Sequence, residues 1–135
     1  MGRLLAIDYG ARRVGLALSD SLKMIASPYR TIINKNNTIL IEEIERIIAA
    51  EDVELTIIGL PLGMAGQKTE QTKKVEKFVD KLTDRGIIIK YEDERWSSVA
   101  AKRSMKEQNI KIGYNKGLVD QTAAAIFLQQ YLDRQ

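Results

Sequence analysis

Histidine and cysteine are both absent from the chain. No imidazole is available as a general base, no thiol as a nucleophile, and no disulfide framework can form. Of the ligands zinc usually takes, only carboxylates remain. A metal bound here must be a hard ion held by oxygen, such as Mg²⁺ or Mn²⁺. Long apolar runs are missing as well. No stretch approaches the roughly 18 apolar residues that a membrane span needs, and the opening apolar run, broken by Asp8, is too short for a signal-peptide core. No membrane association is expected, and the cytoplasm is the expected location. Internal repeats, low-complexity tracts and linkers are also lacking. With 135 residues, 44% hydrophobic and 29% charged, the chain reads as a single globular domain, residues 1–135.

Residues Arg3–Asp8 and Val14–Ser19 are short apolar runs, close enough to pair as an antiparallel hairpin. A third, edge strand is expected at Tyr29–Ile33, after Pro28. From Thr38 the period becomes helical, through Leu40, Ile41, Ile44, Ile47 and Ile48, with Asn37 or Thr38 as the cap. Leu55–Leu60 reads as a central strand. Thr69–Arg85 is a second helix, with Gly86 placed as its C-terminal glycine. Ile87–Tyr91 is a fifth strand. Helices from Ser97 or Ser98 to about Gln108, and from Lys116 to Leu132, complete the chain. A strand reached through a helix lies parallel to its predecessor. The expected fold is therefore α/β: a five-stranded mixed sheet of order 3-2-1-4-5, with helices on both faces. Strand one lies where the connections diverge, and ligands of open α/β sheets bind at the carboxyl ends of strands at such a point.

The acids gather near that point. Asp8 ends strand one, and Asp93 and Glu94 follow strand five. Asp120 lies in the last helix beside the small residues Ala123, Ala124 and Ala125, which allow close approach to the sheet. Each has a plainer reading: a turn former at Asp8, a solvated loop at Asp93-Glu94, a salt bridge from Asp120 to Arg12, Arg13 or Arg95. Together, three carboxylates without His or Cys suit Mg²⁺ and phosphodiester chemistry. Between residues 95 and 116 six basic side chains, among them Arg95, Lys102, Arg103, Lys106 and Lys116, face one acid. The segment carries +5 in a chain of net +3. That concentration suits a polyanion. The glycine loop Gly59–Gly66 offers amides for a phosphate, though such loops are common. Asp-x-Gly before a hairpin also opens nucleotide-binding folds, but these need a second lobe that 135 residues hardly supply.

Four segments in order resemble the YqgF (RuvX) family of Holliday-junction-resolvase-like nucleases. They are Asp8-Tyr-Gly-Ala-Arg-Arg-Val-Gly-Leu-Ala-Leu-Ser-Asp20, Gly59-Leu-Pro-Leu with Gly66, Asp93-Glu-Arg-Trp-Ser-Ser98, and Lys116-Gly-Leu-Val-Asp120 with Ala123-Ala124. The resemblance implies an RNase H-like fold and a nuclease that processes the 5′ end of precursor 16S ribosomal RNA. It carries over Asp8 and Asp120 as catalytic and metal-binding acids. Glu94 is the favoured middle acid and Asp93 its alternative. Arg12, Arg95, Lys102, Arg103, Lys106 and Lys116 are the expected nucleic-acid contacts, with Mg²⁺ or Mn²⁺ as cofactor. Precursor rRNA is the expected partner, with structured DNA second; the alternatives are a Holliday junction resolvase and a nucleic-acid-binding factor without catalysis. A monomer is favoured over a dimer. One departure stands out: junction resolvases often carry a second acid one turn after the helix Asp, where this chain has Ala123.

Overall fold

The computed structural model describes residues 2–93 and 116–135, with the side chains of residues 116 and 117 excepted. Its elements are β1 (Arg3–Asp8), β2 (Arg13–Ser19), β3 (Ala26–Ile33), α1 (Asn37–Ala50), β4 (Val53–Leu60), α2 (Glu70–Asp84), β5 (Ile89–Asp93) and α3 (Lys116–Asp133). The sheet has the expected order, β3-β2-β1-β4-β5. β1 pairs antiparallel with β2 and parallel with β4, and β4 pairs parallel with β5. The expected helix near residues 97–108 lies outside the described residues.

Alternation along β1 divides the core in two. Leu5 and Ile7 point to one face, where they meet Leu40, Ile41, Ile44 and Ile47 of α1 and Val75, Phe78, Val79 and Leu82 of α2. Leu4 and Ala6 point to the other, where they meet Ala124, Phe127, Leu128 and Tyr131 of α3. A strand covered on both sides has no solvent face, which is why β1 and β4 read as continuous apolar runs rather than alternating ones.

Several boundaries differ from the sequence expectation, β4 among them, which begins at Val53 rather than Leu55. β3 begins at Ala26 and runs through Pro28. The proline lies on an edge strand at a register shift between Leu16 and Ala17, where the ladder tolerates a missing donor. α1 is capped by Asn36, whose side chain accepts from the Ile39 backbone N–H at 2.9 Å, rather than by Asn37 or Thr38. β5 starts two residues late. Ile87 and Ile88 belong to the turn leaving α2, where Gly86 takes φ 81° and the Ile87 N–H reaches the Leu82 carbonyl at 3.3 Å. Glu92 and Asp93 therefore lie within the strand rather than after it. Among the described residues, no helix is long and apolar enough to cross a membrane.

Candidate functional site

Asp8 shares the face of Leu4 and Ala6 by strand alternation, so it stands on the α3 side at the carboxyl end of the central strand. Its register partner on β2 is Gly15. Above Gly15 runs the α3 backbone. A Cβ placed on Gly15 would lie 2.6 Å from the Gln121 nitrogen and closer still to the carbonyl group of Asp120. Gly15 is thus the point where helix and sheet touch backbone to backbone. The contact is extended by the small residues expected to allow it, Ala123, Ala124 and Ala125, all buried. Gly15, which has no side chain, is thus the register partner of Asp8 and the neighbour of the Asp120 backbone.

Arg13 Nε donates to Asp120 Oδ2 at 3.0 Å. Arg13 opens β2 and lies on the same face as Gly15 and Ala17. The salt bridge weighed for Asp120 is therefore present, and Arg13 is the partner. Burial pushes the Asp120 carboxyl up from its ordinary value, and the Arg13 guanidinium offsets part of that rise. A carboxylate lifted by desolvation is one for which a cation has high value.

The turn from Asp8 to Arg13 is clamped from below. Tyr9 stacks on Phe78 of α2 with ring centroids 4.2 Å apart, and its hydroxyl donates to Asn37 Oδ1 at 2.8 Å. Gln71 Nε2 donates to the Tyr9 carbonyl at 3.2 Å, and the Asn34 N–H to the Arg12 carbonyl at 2.8 Å. The Arg12 side chain remains exposed and lines an open cleft with Arg13, Ile33 and Asn34.

On β5, Glu92 lies opposite Gly59, on the face of Ile57 and α3. It is 5% exposed, and its carboxylate is held by both terminal nitrogens of Arg134, one of them at 2.6 Å. Sequence reasoning missed this pair. Asp93 lies opposite Leu60, on the α1–α2 face, away from Asp8 and Asp120. Glu94, Arg95, Lys102, Arg103 and Lys106 lie outside the described residues, as does the side chain of Lys116. Among the described residues no three of His, Cys, Asp and Glu group in a way that could hold a metal. Asp8 and Asp120 carry carboxylate oxygens, the donor type that Mg²⁺ and Mn²⁺ accept, and two acids alone do not complete such a set.

The glycine loop is committed to its own fold. The Gly63 N–H donates to the Gln67 carbonyl at 2.8 Å, the Ala65 N–H to Gln67 Oε1 at 3.0 Å, and the Gly66 N–H to the Gly63 carbonyl at 2.8 Å. These amides are not available to cradle a phosphate.

A family model described as "RuvX: Holliday junction resolvase" matches residues 2–134. The chain belongs to the RuvX family. Among curated RuvX-like relatives, one from Bacteroides thetaiotaomicron is 42% identical over 137 residues, covering 98% of this chain and 97% of that one. One from Crocosphaera subtropica is 40% identical over 131 residues, covering 96% and 92%. Both carry the name "Putative pre-16S rRNA nuclease". Among solved structures, Thermus thermophilus RuvC in complex with a Holliday junction substrate aligns with a TM-score of 0.60 at 15% identity, over 99% of this chain and 95% of that one. Fowlpox virus resolvase with junction DNA aligns at 0.58 and 10%, over 98% and 97%. At those identities the likeness concerns the fold, which is the RNase H-like one expected for RuvX.

Proposed function

We propose that this RuvX chain is a divalent-metal-dependent nuclease that hydrolyses phosphodiester bonds of RNA, with the 5′ end of precursor 16S rRNA as its substrate. The observation that carries the reading is that Gly15 is the register partner of Asp8 and lies against the Asp120 backbone, with Asp120 partly desolvated. The relatives' shared name supports the substrate.

Asp8, Asp120 and Glu94 would hold Mg²⁺ or Mn²⁺. The opposite facing of Asp93 favours Glu94 over it as the middle acid. When bound, the ion lowers the pKa of a water and stabilises the leaving oxygen. This chain's own residues orient the substrate. Arg12, at the mouth of the cleft, binds a phosphate oxygen, and the basic residues Arg95, Lys102, Arg103, Lys106 and Lys116 hold the flanking strand. The clamped Tyr9 turn keeps Asp8 fixed while the strand is drawn across it. The site operates in the cytoplasm, on a single chain.

A second reading, resolution of four-way DNA junctions, has the description of the family model in its favour. The test is a panel of end-labelled precursor-rRNA fragments, single strands, duplexes and junctions, each with Mg²⁺, Mn²⁺ or chelator. Metal-dependent cleavage of the RNA is expected. Cleavage unchanged by chelator, or no cleavage of any substrate, would end the proposal.

A further inference from the structure

We propose that the β2–β3 loop, at the end of the sheet away from Asp8, is a docking site for a basic protein carried on the same RNA, with Leu22, Met24 and Ile25 as the apolar contacts. This rests on the reading of the chain as an RNA nuclease, and adds a protein partner to it.

The loop is tied down in a form that exposes those side chains. Asp20 Oδ1 accepts from the Met24 N–H at 2.8 Å and from the Ile25 N–H at 3.0 Å, and the Asp20 N–H donates to the Ile25 carbonyl at 3.1 Å. Gln129 of α3 holds the same segment from outside. Its Nε2 donates to the Met24 carbonyl at 3.0 Å, and its Oε1 accepts from the Ala26 N–H at 2.8 Å. Lys23 takes φ 60°, a left-handed conformation that costs energy in a residue with a side chain, and its ammonium pairs with Glu54. With the backbone so fixed, Leu22, Met24 and Ile25 still stand 62–66% exposed. Single apolar side chains on a surface are ordinary, but a cluster held rigidly in water marks an interaction surface. A partner that covers it has little loop ordering to offset. Beside the cluster, Ile25, Pro28 and Tyr29 wall a cleft of about 370 Å³, with room for a partner side chain.

Charge selects the partner. Asp20 and Glu51 line that cleft, Glu54 lines the one on the other side of Lys23, and Asp133 bonds to Gln129. Against them stand Arg3 and Lys23, and Lys23 is already paired with Glu54. In a chain of net +3, the surroundings of this loop are acidic. An acidic rim repels RNA and anionic lipid, and it repels a second copy that brings the same loop. It suits an apolar contact ringed by Lys and Arg. Proteins that coat RNA carry such an excess of basic side chains. The spacing also fits. The loop leaves the carboxyl end of β2, which lies beside the amino end of β1, whereas Asp8 ends β1. The six residues of β1, at about 3.3 Å each, put roughly 20 Å between the loop and Asp8. An RNA strand on the acids and a protein on the loop can therefore be held at once. Because both contacts belong to one particle, the second is effectively intramolecular, and a small patch suffices.

The experiment uses the full chain with two probes: the small-subunit particle that carries precursor 16S rRNA, and the same RNA freed of protein. Co-sedimentation reads binding, and cleavage is followed separately. Leu22→Ser, Met24→Ser and Ile25→Ser combined are expected to weaken binding to the particle about tenfold, and to change affinity for the free RNA less than about twofold. Glu51→Lys keeps the apolar contacts and reverses one charge, and should weaken particle binding about threefold. Thermal melts establish that both variants fold. Unchanged particle binding in the folded triple variant overturns the docking site. An equal loss on free RNA also overturns it, since the loop would then be an RNA contact. Self-association of the wild type that the triple variant lacks would make the occupant a second copy, and loop-dependent binding to phosphatidylglycerol vesicles would make it a membrane; either result overturns the protein partner. Loop-dependent binding to the particle without cleavage of either probe would end the nuclease reading and leave the docking site standing.

Discussion

Gly15 lies between Asp8 and Asp120, as the register partner of Asp8 on one side and the floor beneath the Asp120 peptide on the other. Most glycines in strand interiors weaken them, and replacement by Ala then stabilises by about 0.4–1 kcal/mol. Here the sign reverses. The atoms a Cβ would meet are backbone, of Asp120 and Gln121, and cannot rotate away. Gly15→Ala must lift the start of α3 from the sheet. A cost of about 1–3 kcal/mol is expected, the range for overpacked interiors. Cleavage should fall further than stability, because Asp120 moves with the helix. Urea unfolding and a cleavage rate at saturating metal test this together, and an Ala variant as stable as wild type would show that the helix has room to spare.

Asp8→Asn and Asp120→Asn should each abolish cleavage while the fold survives. For Asp120 a pH signature follows from the raised carboxyl. The folded protein holds this proton to higher pH than the unfolded chain, whose value is near 3.8. Below that value the group makes no difference to stability. As pH rises through the window up to the folded value, ionisation costs stability, and the cost persists at neutral pH. Asn has no such cost. Relative to wild type, Asp120→Asn should therefore gain stability on going from acid to neutral pH, by less than about 1 kcal/mol for an ion pair that still reaches water. Thermal melts without metal check the sign. Added Mn²⁺ should stabilise wild type and leave the Asn variant unmoved.

The sheet order was legible because its logic is topological. Two runs joined by a tight turn must pair antiparallel, and two strands reached through amphipathic helices must lie parallel. The places of Asp8 at the end of β1 and of Asp120 in the last helix were legible because the apolar runs fix where that strand stops and that helix runs. What escaped depended on particular neighbours. Gly15 sits inside the apolar run of β2, where only the rule that an interior glycine marks a close backbone approach could have singled it out. Ile87 and Ile88 are strong strand formers, yet the turn from α2 uses them, and the strand slips two residues towards the acids. Glu92 carried no pattern at all, since its partner Arg134 is 42 positions away.

That pair predicts an asymmetry. Glu92 is buried while the Arg134 side chain is 58% exposed. Arg134→Ala leaves a carboxylate without its partner under the end of α3. The expected loss is about 1–3 kcal/mol, the desolvation penalty of an unsatisfied group. Glu92→Gln leaves an arginine that water can solvate, and should cost less than about 1 kcal/mol. Because β5 carries Glu92 and ends at Asp93, next in sequence to the proposed acid Glu94, Arg134→Ala should also slow cleavage. Equal losses in the two variants by chemical denaturation would mean that the pair is solvated on both sides.

RNA with a single-stranded end should be cut in preference to a four-way DNA junction. Resolution requires two coordinated cuts, hence a symmetric dimer with two sites at fixed separation. The apolar stripes of α1 and α2 are both used on the sheet, through Leu40, Ile44 and Ile47 and through Val75, Phe78 and Leu82. Ala123 is buried and contributes no further acid. The described surface does present Leu22, Met24 and Ile25 together in the β2–β3 loop, each more than 60% exposed. Three side chains fall well short of the roughly 800 Å² per partner that a stable interface buries. The protein should therefore sediment as a monomer, and precursor rRNA should outcompete a synthetic junction at equal concentration. Replacing Leu22, Met24 and Ile25 by Ser should leave both the mass and the RNA cleavage unchanged. A stable dimer that cuts the junction symmetrically, ignores the RNA and dissociates on that triple replacement would reverse the choice, with this loop as the dimer contact and junction resolution as the activity.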